Sequence, residues 1–456
     1  MGRTRKGRQL SASDPLNLAR ALMTDEHTEQ KQRALHYHAG GYHRWNGVRY
    51  LPVGAEEIQG PIWPWLESHG ITPNRRVVGE VMAALQAITC LPSDLTPPCW
   101  LNDSHQASSI SPSSIIAVSD GLLDLRKRTL YGPTPSFYTH SALGTAFDPF
   151  SGPPTAWLDF LKQVYDGDQE TIQTLQEFTG YLISGWTSYQ KALLMVGPKR
   201  SGKGTILRII RRLLGSETVV GPTLTSLGGP FGLEPLVHKT AAIIGDARIS
   251  GRSEWSVIAE RILGITGEDV ITVERKFKPS WTGQLSTRFV IATNELPRLA
   301  DASSALSSRF IVLIGKQSWY GREDPGLFSR LETELPGILL WALDGLDRLR
   351  KRGHFLQPAA SAEAVQEIED LGSPISAFLR TECEIGPEHV CVKAHLYERW
   401  REWCQEHGYP RPSNESHFGR DLRAALPTLR ASRPALPSGR VHQWVGIKLL
   451  PRGYQG

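Results

Sequence analysis

The stretch GPKRSGKGT, residues 197–205, gathers the residue types that hold a polyphosphate. Gly197, Gly202 and Lys203 occupy the fixed positions of G-x-x-x-x-G-K-[ST]. In that pattern glycines let backbone N–H groups curl around an anion, and the lysine carries charge to the β- and γ-phosphates. One letter differs: Gly204 stands where a metal-ligating hydroxyl belongs, and Thr205 brings that hydroxyl one position late. Gly197, Ser201, Gly202, Lys203, Gly204 and Thr205 are the candidate nucleotide-binding residues, with Thr205 assigned a phosphate contact or an indirect role at a metal. Hydrolysis asks for three further groups. TAAIIGDAR ends an apolar run in Asp246, an acid for the metal. TRFVIATNELPRL delivers Asn294, a sensor for the γ-phosphate, and ALSSRFIVL sets Arg309 ahead of another apolar run. An arginine there suits a finger that reaches into a neighbouring subunit and offsets transition-state charge. ATP and Mg2+ are the cofactors this set implies, with Thr205 and Asp246 at the metal.

Such residues work only if the elements around them bring them together. Before the loop, ALLMV is five apolar residues in a row, the pattern of a strand buried on both faces. After it, Ile206, Ile209, Ile210, Leu213 and Leu214 recur with helical spacing, while Arg208, Arg211 and Arg212 take the opposite face and Gly215 stands at a C-terminal cap. Strand, glycine loop and helix together aim N–H groups at an anion at the positive helix end. G-K-G-T also occurs in loops of the nucleoside-monophosphate kinase type, where the metal is held largely through water, so the displaced hydroxyl is no sign of decay.

At 456 residues the chain predicts two to four domains. No apolar run approaches the roughly 18 to 20 residues of a membrane span. The basic start, MGRTRKGRQLSASDP, has no apolar stretch behind it and reads as a solvated tail rather than a secretory signal. Five cysteines without a C-x-x-C pair fit a reducing cytoplasm and argue against disulfides or a zinc site. His36, His38 and His43 in HYHAGGYH lack a cysteine or carboxylate at matching spacing and are expected to be surface or core histidines.

The segmentation expected is an N-terminal α/β accessory domain over 1–131, with the basic tail at 1–15, and a Pro/Gly/Ser-rich linker over 132–154. A helical collar over 155–185 and an ATPase core with a parallel sheet over 186–352 follow. A linker and helix over 353–390 lead to a basic domain over 391–456. In that last domain Leu396, Trp400 and Trp403 share a helical face, Ser413 or Asn414 caps the next helix, and RVHQWVGIKLL alternates like a hairpin strand. Helices followed by a basic hairpin read as a winged helix. From Cys391 onward there are eleven Lys/Arg against five Asp/Glu, an excess larger than the +5 of the whole chain, as expected of a phosphate-backbone binder. Arg420, Arg423 and Arg440 are its candidate DNA contacts.

Taken together, GYHRWNGVRY, GLLDLRKRTL, LQEFTGYLISG, GPKRSGKGT, ITGEDVITVERKFKPSWTG, ATNELPRLADASSALSSRF and ELPGILLWALDGL resemble the helicase part of phage and plasmid primase-helicases. These are viral superfamily 3 helicases of the AAA+ class, and the resemblance covers most of the chain. It implies an ATP-driven ring, a homo-hexamer, moving on single-stranded or forked DNA, usually 3′ to 5′, in the cytoplasm of a bacterium or phage-infected host. By resemblance Lys203, Asp246, Asn294 and Arg309 carry over as Walker A, Walker B, sensor and finger. Residues 265–278 match a loop that projects into the ring channel, where Arg275, Lys276 and Lys278 grip the backbone. Two departures stand out. The neighbours of Asp246 are Gly245 and Ala247 rather than a second acid, which leaves Glu254 and Glu260 as distant candidates for activating water. The first 150 residues hold no D-x-D, so a helicase without its own primase is expected, a separate primase being a possible partner. An ATP-switched initiator or helicase loader is the alternative, and a small-molecule kinase a third.

Overall fold

The computed structural model describes residues 10–245, 252–296, 305–372, 374–409, 412–436 and 439–451. Asp246 and the first nine residues of the basic start fall outside these ranges.

The N-terminal body opens with helix α1 (Pro15–Glu26), which Asp14 caps by accepting the N–H of Asn17. Three short antiparallel strands follow: β1 (Leu35–His38), β2 (Gly41–Trp45) and β3 (Tyr50–Val53). Helix α2 (Arg75–Thr89) lays Val77, Val78, Val81 and Leu85 against Leu18 and Leu22 of α1. A second antiparallel sheet holds β4 (Ile115–Val118), β5 (Gly121–Asp124) and β6 (Thr129–Tyr131). The residues at 132–154 run as an extended connection, yet one drawn into the protein rather than left in solvent. Phe137, Tyr138, Leu143 and Phe147 are buried, and Gly144 donates its N–H to Leu213 O at 2.9 Å. The aromatic and small residues interspersed among the prolines account for this: they have apolar surface to lose.

Next come two helices, α3 (Thr155–Val164) and α4 (Gln169–Ser184), capped respectively by the Glu334 carboxylate, which accepts the N–H groups of Ala156 and Trp157 at 3.0 and 2.9 Å, and by Asp168. The central sheet is built from β7 (Ala192–Val196), β8 (Val219–Val220), β9 (Ala241–Ile244), β12 (Arg288–Thr293) and β13 (Phe310–Ile314). Helix α5 (Lys203–Leu214) follows β7. Helix α6 (Arg252–Thr266) and the antiparallel hairpin β10 (Val270–Arg275) and β11 (Lys278–Gln284) lie between β9 and β12. The sheet order is β8-β9-β12-β7-β13, all parallel.

Alternation along β7 explains its unbroken apolar run. Leu193 and Met195 join the cluster under α4, α5 and helix α7 (Leu335–Arg352), whereas Ala192, Leu194 and Val196 join the cluster under α6. Both faces are covered. The expected inner face of α5 is borne out, with Ile206, Ile209, Ile210, Leu213 and Leu214 all buried and Gly215 closing the helix at φ 85°.

α4 and α7 cross so closely that a Cβ on Gly180 would meet Ala342 O at 2.4 Å. The buried Glu177 carboxylate of α4 pairs with Arg348, at 2.6 Å, and with Arg352 of α7.

The C-terminal body begins at helix α8 (Pro374–Glu382), ahead of the expected position 391, and continues with β14 (Cys383–Val392), α9 (Lys393–Glu406), α10 (Glu415–Ala425), β15 (Arg430–Ser432) and β16 (Gln443–Leu449). Phe378 and Leu379 of α8 share one core with Leu396, Trp400, Trp403, Phe418, Leu422 and Trp444, which is why the earlier helix belongs to this body. Asn414 is the cap of α10, accepting the N–H of His417 at 2.9 Å. The strands pair antiparallel in the order β14-β16-β15.

Candidate nucleotide site

All five central strands run the same way, so their C-terminal ends form one edge, and β7 sits where the chain order reverses between β12 and β13. Crevices of parallel sheets open at such a point. Gly202 caps α5 at φ 90°, a left-handed conformation that a side chain adopts only with strain. A Cβ there would also strike Val164 and Phe160 of α3 at 2.7 and 3.1 Å. The loop is therefore pressed against the helix before the sheet, and the first turn of α5, whose N–H groups have no intrahelical acceptors, faces the crevice.

Lys203 Nζ reaches Gly197 O at 2.6 Å, Pro198 O at 2.9 Å, Ser201 Oγ at 3.0 Å and Asn294 Oδ1 at 3.4 Å. Residues 91 positions apart in sequence are thus brought to one point by the pairing of β7 with β12. A cleft of about 980 Å³ opens here, lined by Ser201, Gly202, Lys203, Gly204, Thr205 and Asn294 among others. Gly197 lies just behind it, its N–H on Thr293 O at 3.3 Å. Nothing lies within 4 Å of where a Gly204 Cβ would stand, so the missing side chain leaves open space rather than a filled one. Gly245 also lines the cleft, and Asp246, the next residue, lies outside the described residues. Glu260 is exposed on α6 and does not line the cleft; the side chain of Glu254 is outside the described set.

The sequence reading missed half of the cleft wall. Residues 315–326, expected to lead directly into helices, form a strap after β13. Ser318 Oγ donates to Lys199 O at 2.8 Å, and the Trp319 N–H donates to Arg200 O at 3.0 Å. The strap and the following helix add Trp319, Arg322, Asp324, Phe328 and Arg330, while the loop and α5 add Lys199, Arg200 and Arg208. Arg208 stacks over the Phe328 ring, 3.7 Å from its centroid. Its hydrogen bonds from Arg330 hold the Asp324 carboxyl below its usual range, and Glu323 pairs with Arg200 at 3.3 Å, so the acids of this wall are matched by bases and the remainder is cationic. A signal was present in the sequence: aromatic and basic residues, SWYGRE, in a Gly/Pro-rich stretch just after a strand.

Arg309 is not part of the cleft of its own chain. It precedes Phe310, which is level with Ala192 at the opposite end of β7, about 13 Å away along the four steps from Ala192 to Val196. There its guanidinium donates to Gln190 Oε1. Arg275, Lys276 and Lys278 cluster at the tip of the β10–β11 hairpin, which spans 270–284 rather than the expected 265–278, since residues to Thr266 still belong to α6. At the tip Phe277 is 94% exposed with φ 60°, and Lys276 lies 5.1 Å from its ring centroid. Arg275 Nε donates to Pro279 O at 2.8 Å. In the C-terminal body Arg420 pairs with Asp421 at 2.9 Å. Arg423 and Lys393 both approach the Trp444 ring, at 5.7 and 4.0 Å, and Arg440 is exposed on a short strand. These three arginines stand on the C-terminal body, and the hairpin cations on the segment between β9 and β12.

Comparison with known proteins adds the following. Residues 195–309 match a family described as of unknown function (DUF5906), and residues 373–433 match a poxvirus D5 protein-like family. The apo structure of the NrS-1 C-terminal region is similar over 95% of this chain and 99% of that one, with a TM-score of 0.57 and 13% identity. An A form apo structure of the same NrS-1 region is similar over 95% of this chain and 100% of that one, at a TM-score of 0.54 and 12% identity. At such identities the likeness is one of fold, and it spans nearly the whole chain. Among the described residues no helix is long and apolar enough to cross a membrane.

Proposed function

We propose that this chain is an ATP-dependent DNA helicase of the superfamily 3, AAA+ type, acting in replication of a phage or mobile element. The observation that carries the reading is the meeting of Lys203 Nζ and Asn294 Oδ1 at 3.4 Å, in a cationic cleft at the switch point of a five-stranded parallel sheet. The all-parallel order β8-β9-β12-β7-β13, with the glycine loop after the inner strand β7, supports the AAA+ part of this reading. The poxvirus D5-like match and the NrS-1 likeness support a place among viral and phage primase-helicase relatives. The order of α8, β14, α9, α10, β15 and β16 supports a winged-helix reading of the C-terminal body, and its basic excess supports a DNA contact through Arg420, Arg423 and Arg440.

In this reading the loop N–H groups and the α5 terminus bind the β- and γ-phosphates of ATP, and Lys203 moves from loop carbonyls onto them. Asn294 orients the γ-phosphate. Trp319 and Phe328 offer apolar faces to the base, and Arg208 and Arg330 add charge as it develops. Thr205 and Asp246 would hold Mg2+, which supplies charge neutralisation at the β- and γ-oxygens. Arg309, remote from its own cleft, serves the cleft of the next subunit in a homo-hexameric ring. The hairpin with Arg275, Lys276 and Lys278 grips single-stranded DNA, its exposed Phe277 stacking on a base. A separate primase is a further partner.

The reading is tested by strand displacement on a forked duplex with ATP and Mg2+. Displacement by the wild type and none by Lys203→Ala supports it. ATP-dependent binding to DNA with no displacement would instead favour an initiator or loader, the reading that the lone acid between Gly245 and Ala247 keeps in view.

A further inference from the structure

A second cluster of chemistry-bearing side chains lies far from the loop, at the seam between the N-terminal body and the parallel-sheet body. His43 comes from β2, His140 from the buried connection after Tyr138, and His238 from the turn before β9. One ring nitrogen from each lies within 4.8 Å of the other two. The ring centroids of His43 and His140 are 4.7 Å apart, and those of His140 and His238 are 4.4 Å apart. His43 is 5% exposed. The sequence brings His36, His38 and His43 to notice, but the convergent trio shares only His43 with them. The other two ligands stand about 100 and 200 residues further along, visible only once the bodies dock.

We propose that His43, His140 and His238 form a binding site for a transition-metal ion of the Zn2+ class, a clip joining the N-terminal body to the ATPase body.

Three observations carry this. First, His140 Nδ1 lies 3.2 Å from Tyr50 O, which fixes the tautomer with Nδ1–H donating and leaves a lone pair on Nε2. That Nε2 is buried and, among the described residues, has no hydrogen-bond partner; the same holds for His43 Nδ1. Both ring nitrogens of His36 and of His38 are likewise buried without partners, but among the described residues it is His43, His140 and His238 that bring three ring nitrogens together. Second, His238 is delivered to the seam by a backbone at φ 62°, uncommon for a residue with a side chain. Third, His140 and His238 line a cavity of about 140 Å³, room for a metal-bound water at an open coordination position.

Donor chemistry decides the ion. All three ligands are imidazoles, and among the described residues no carboxylate joins the cluster, so a hard cation such as Mg2+ or Ca2+ finds no carboxylate oxygen here. A tetrahedral Zn2+ with N at about 2.0–2.1 Å separates its ligand nitrogens by about 3.4 Å, so a contraction of up to about 1.4 Å completes the site. His38 lies beyond it, its ring centroid 6.4 Å from that of His43. None of these residues belongs to the phosphate cleft, so the site stands or falls apart from the proposed helicase activity.

The test uses the full chain without a histidine tag, stripped by chelator and then dialysed against limiting Zn2+ or Co2+. The expected result is one ion retained per chain, a visible Co2+ absorption band of the low-coordinate type, and a thermal midpoint raised by several degrees with Zn2+ but not with Mg2+. His140→Gln and His238→Gln lose the ion and the shift, whereas the surface control His69→Gln keeps both. Should a ligand variant fail to fold, the Co2+ band and the Zn2+-dependent midpoint of the wild type decide alone. Less than stoichiometric retention with an unmoved midpoint, or equal retention by the folded ligand variants, overturns the proposal.

Discussion

At the scale of single residues, the loop at 197–205, proposed to hold phosphate, makes two opposite demands on glycine. Gly202 is both left-handed and packed against α3, so Gly202→Val is expected to unseat the loop and abolish nucleotide binding. Gly204 has open space around it. Gly204→Ser, which restores the usual hydroxyl position, is expected to leave the thermal midpoint within about 2 °C, the small shift of an unstrained surface change, and to retain ATP hydrolysis. A loss of binding measured by fluorescent-nucleotide titration would show that this variant loop depends on the absence of a side chain. Asn294→Ala removes the group proposed to orient the γ-phosphate and is expected to lower kcat by about 10²–10³-fold with little change in ATP affinity. Most of these residues were legible in the sequence because glycine, lysine and asparagine at strand ends carry their reason locally. The convergence of Lys203 with Asn294 needed only the assumption of a parallel sheet. The histidine trio was illegible for the converse reason: its members share no element and meet only through docking.

Among elements, strands and helices with two-sided burial were readable and the strap at 315–326 was not. The run ALLMV and the face of α5 announce their packing through periodicity. The strap has no period at all, and its order comes from Ser318 and Trp319 bonding to the loop carbonyls of Lys199 and Arg200. Trp319→Ala is expected to weaken ATP binding by about tenfold, as loss of one stacking face of about 1–3 kcal/mol would, while phosphate affinity is unchanged; comparing ATP with inorganic triphosphate in the same titration checks this. The α4–α7 crossing is a second element-level feature. Gly180→Val pushes methyl groups into Ala342 O and is expected to cost about 1–3 kcal/mol, seen as a lower urea midpoint at unchanged slope. The β10–β11 hairpin makes the opposite forecast. Its tip residue Phe277 is almost wholly exposed, so Phe277→Ala leaves the urea midpoint alone and is expected to reduce only the DNA-dependent part of hydrolysis.

For the whole molecule, the proposed sites lie in different bodies of the chain, and subunit assembly is the proposed means of joining them. Arg309 stands at the edge of the sheet opposite its own cleft. If neighbouring subunits complete each other, Lys203→Ala and Arg309→Ala are each inactive alone, and an equal mixture regains part of the wild-type rate through interfaces that combine one intact loop with one intact arginine. A mixture that stays inactive under conditions where rings form would remove Arg309 from the reaction. The measurement that bears most directly on the central claim is ATP hydrolysis by the purified chain with and without single-stranded DNA, alongside Lys203→Ala. A DNA-driven motor predicts turnover that rises severalfold with DNA and disappears in the variant. Turnover indifferent to DNA, or tight ATP binding without turnover, would contradict it.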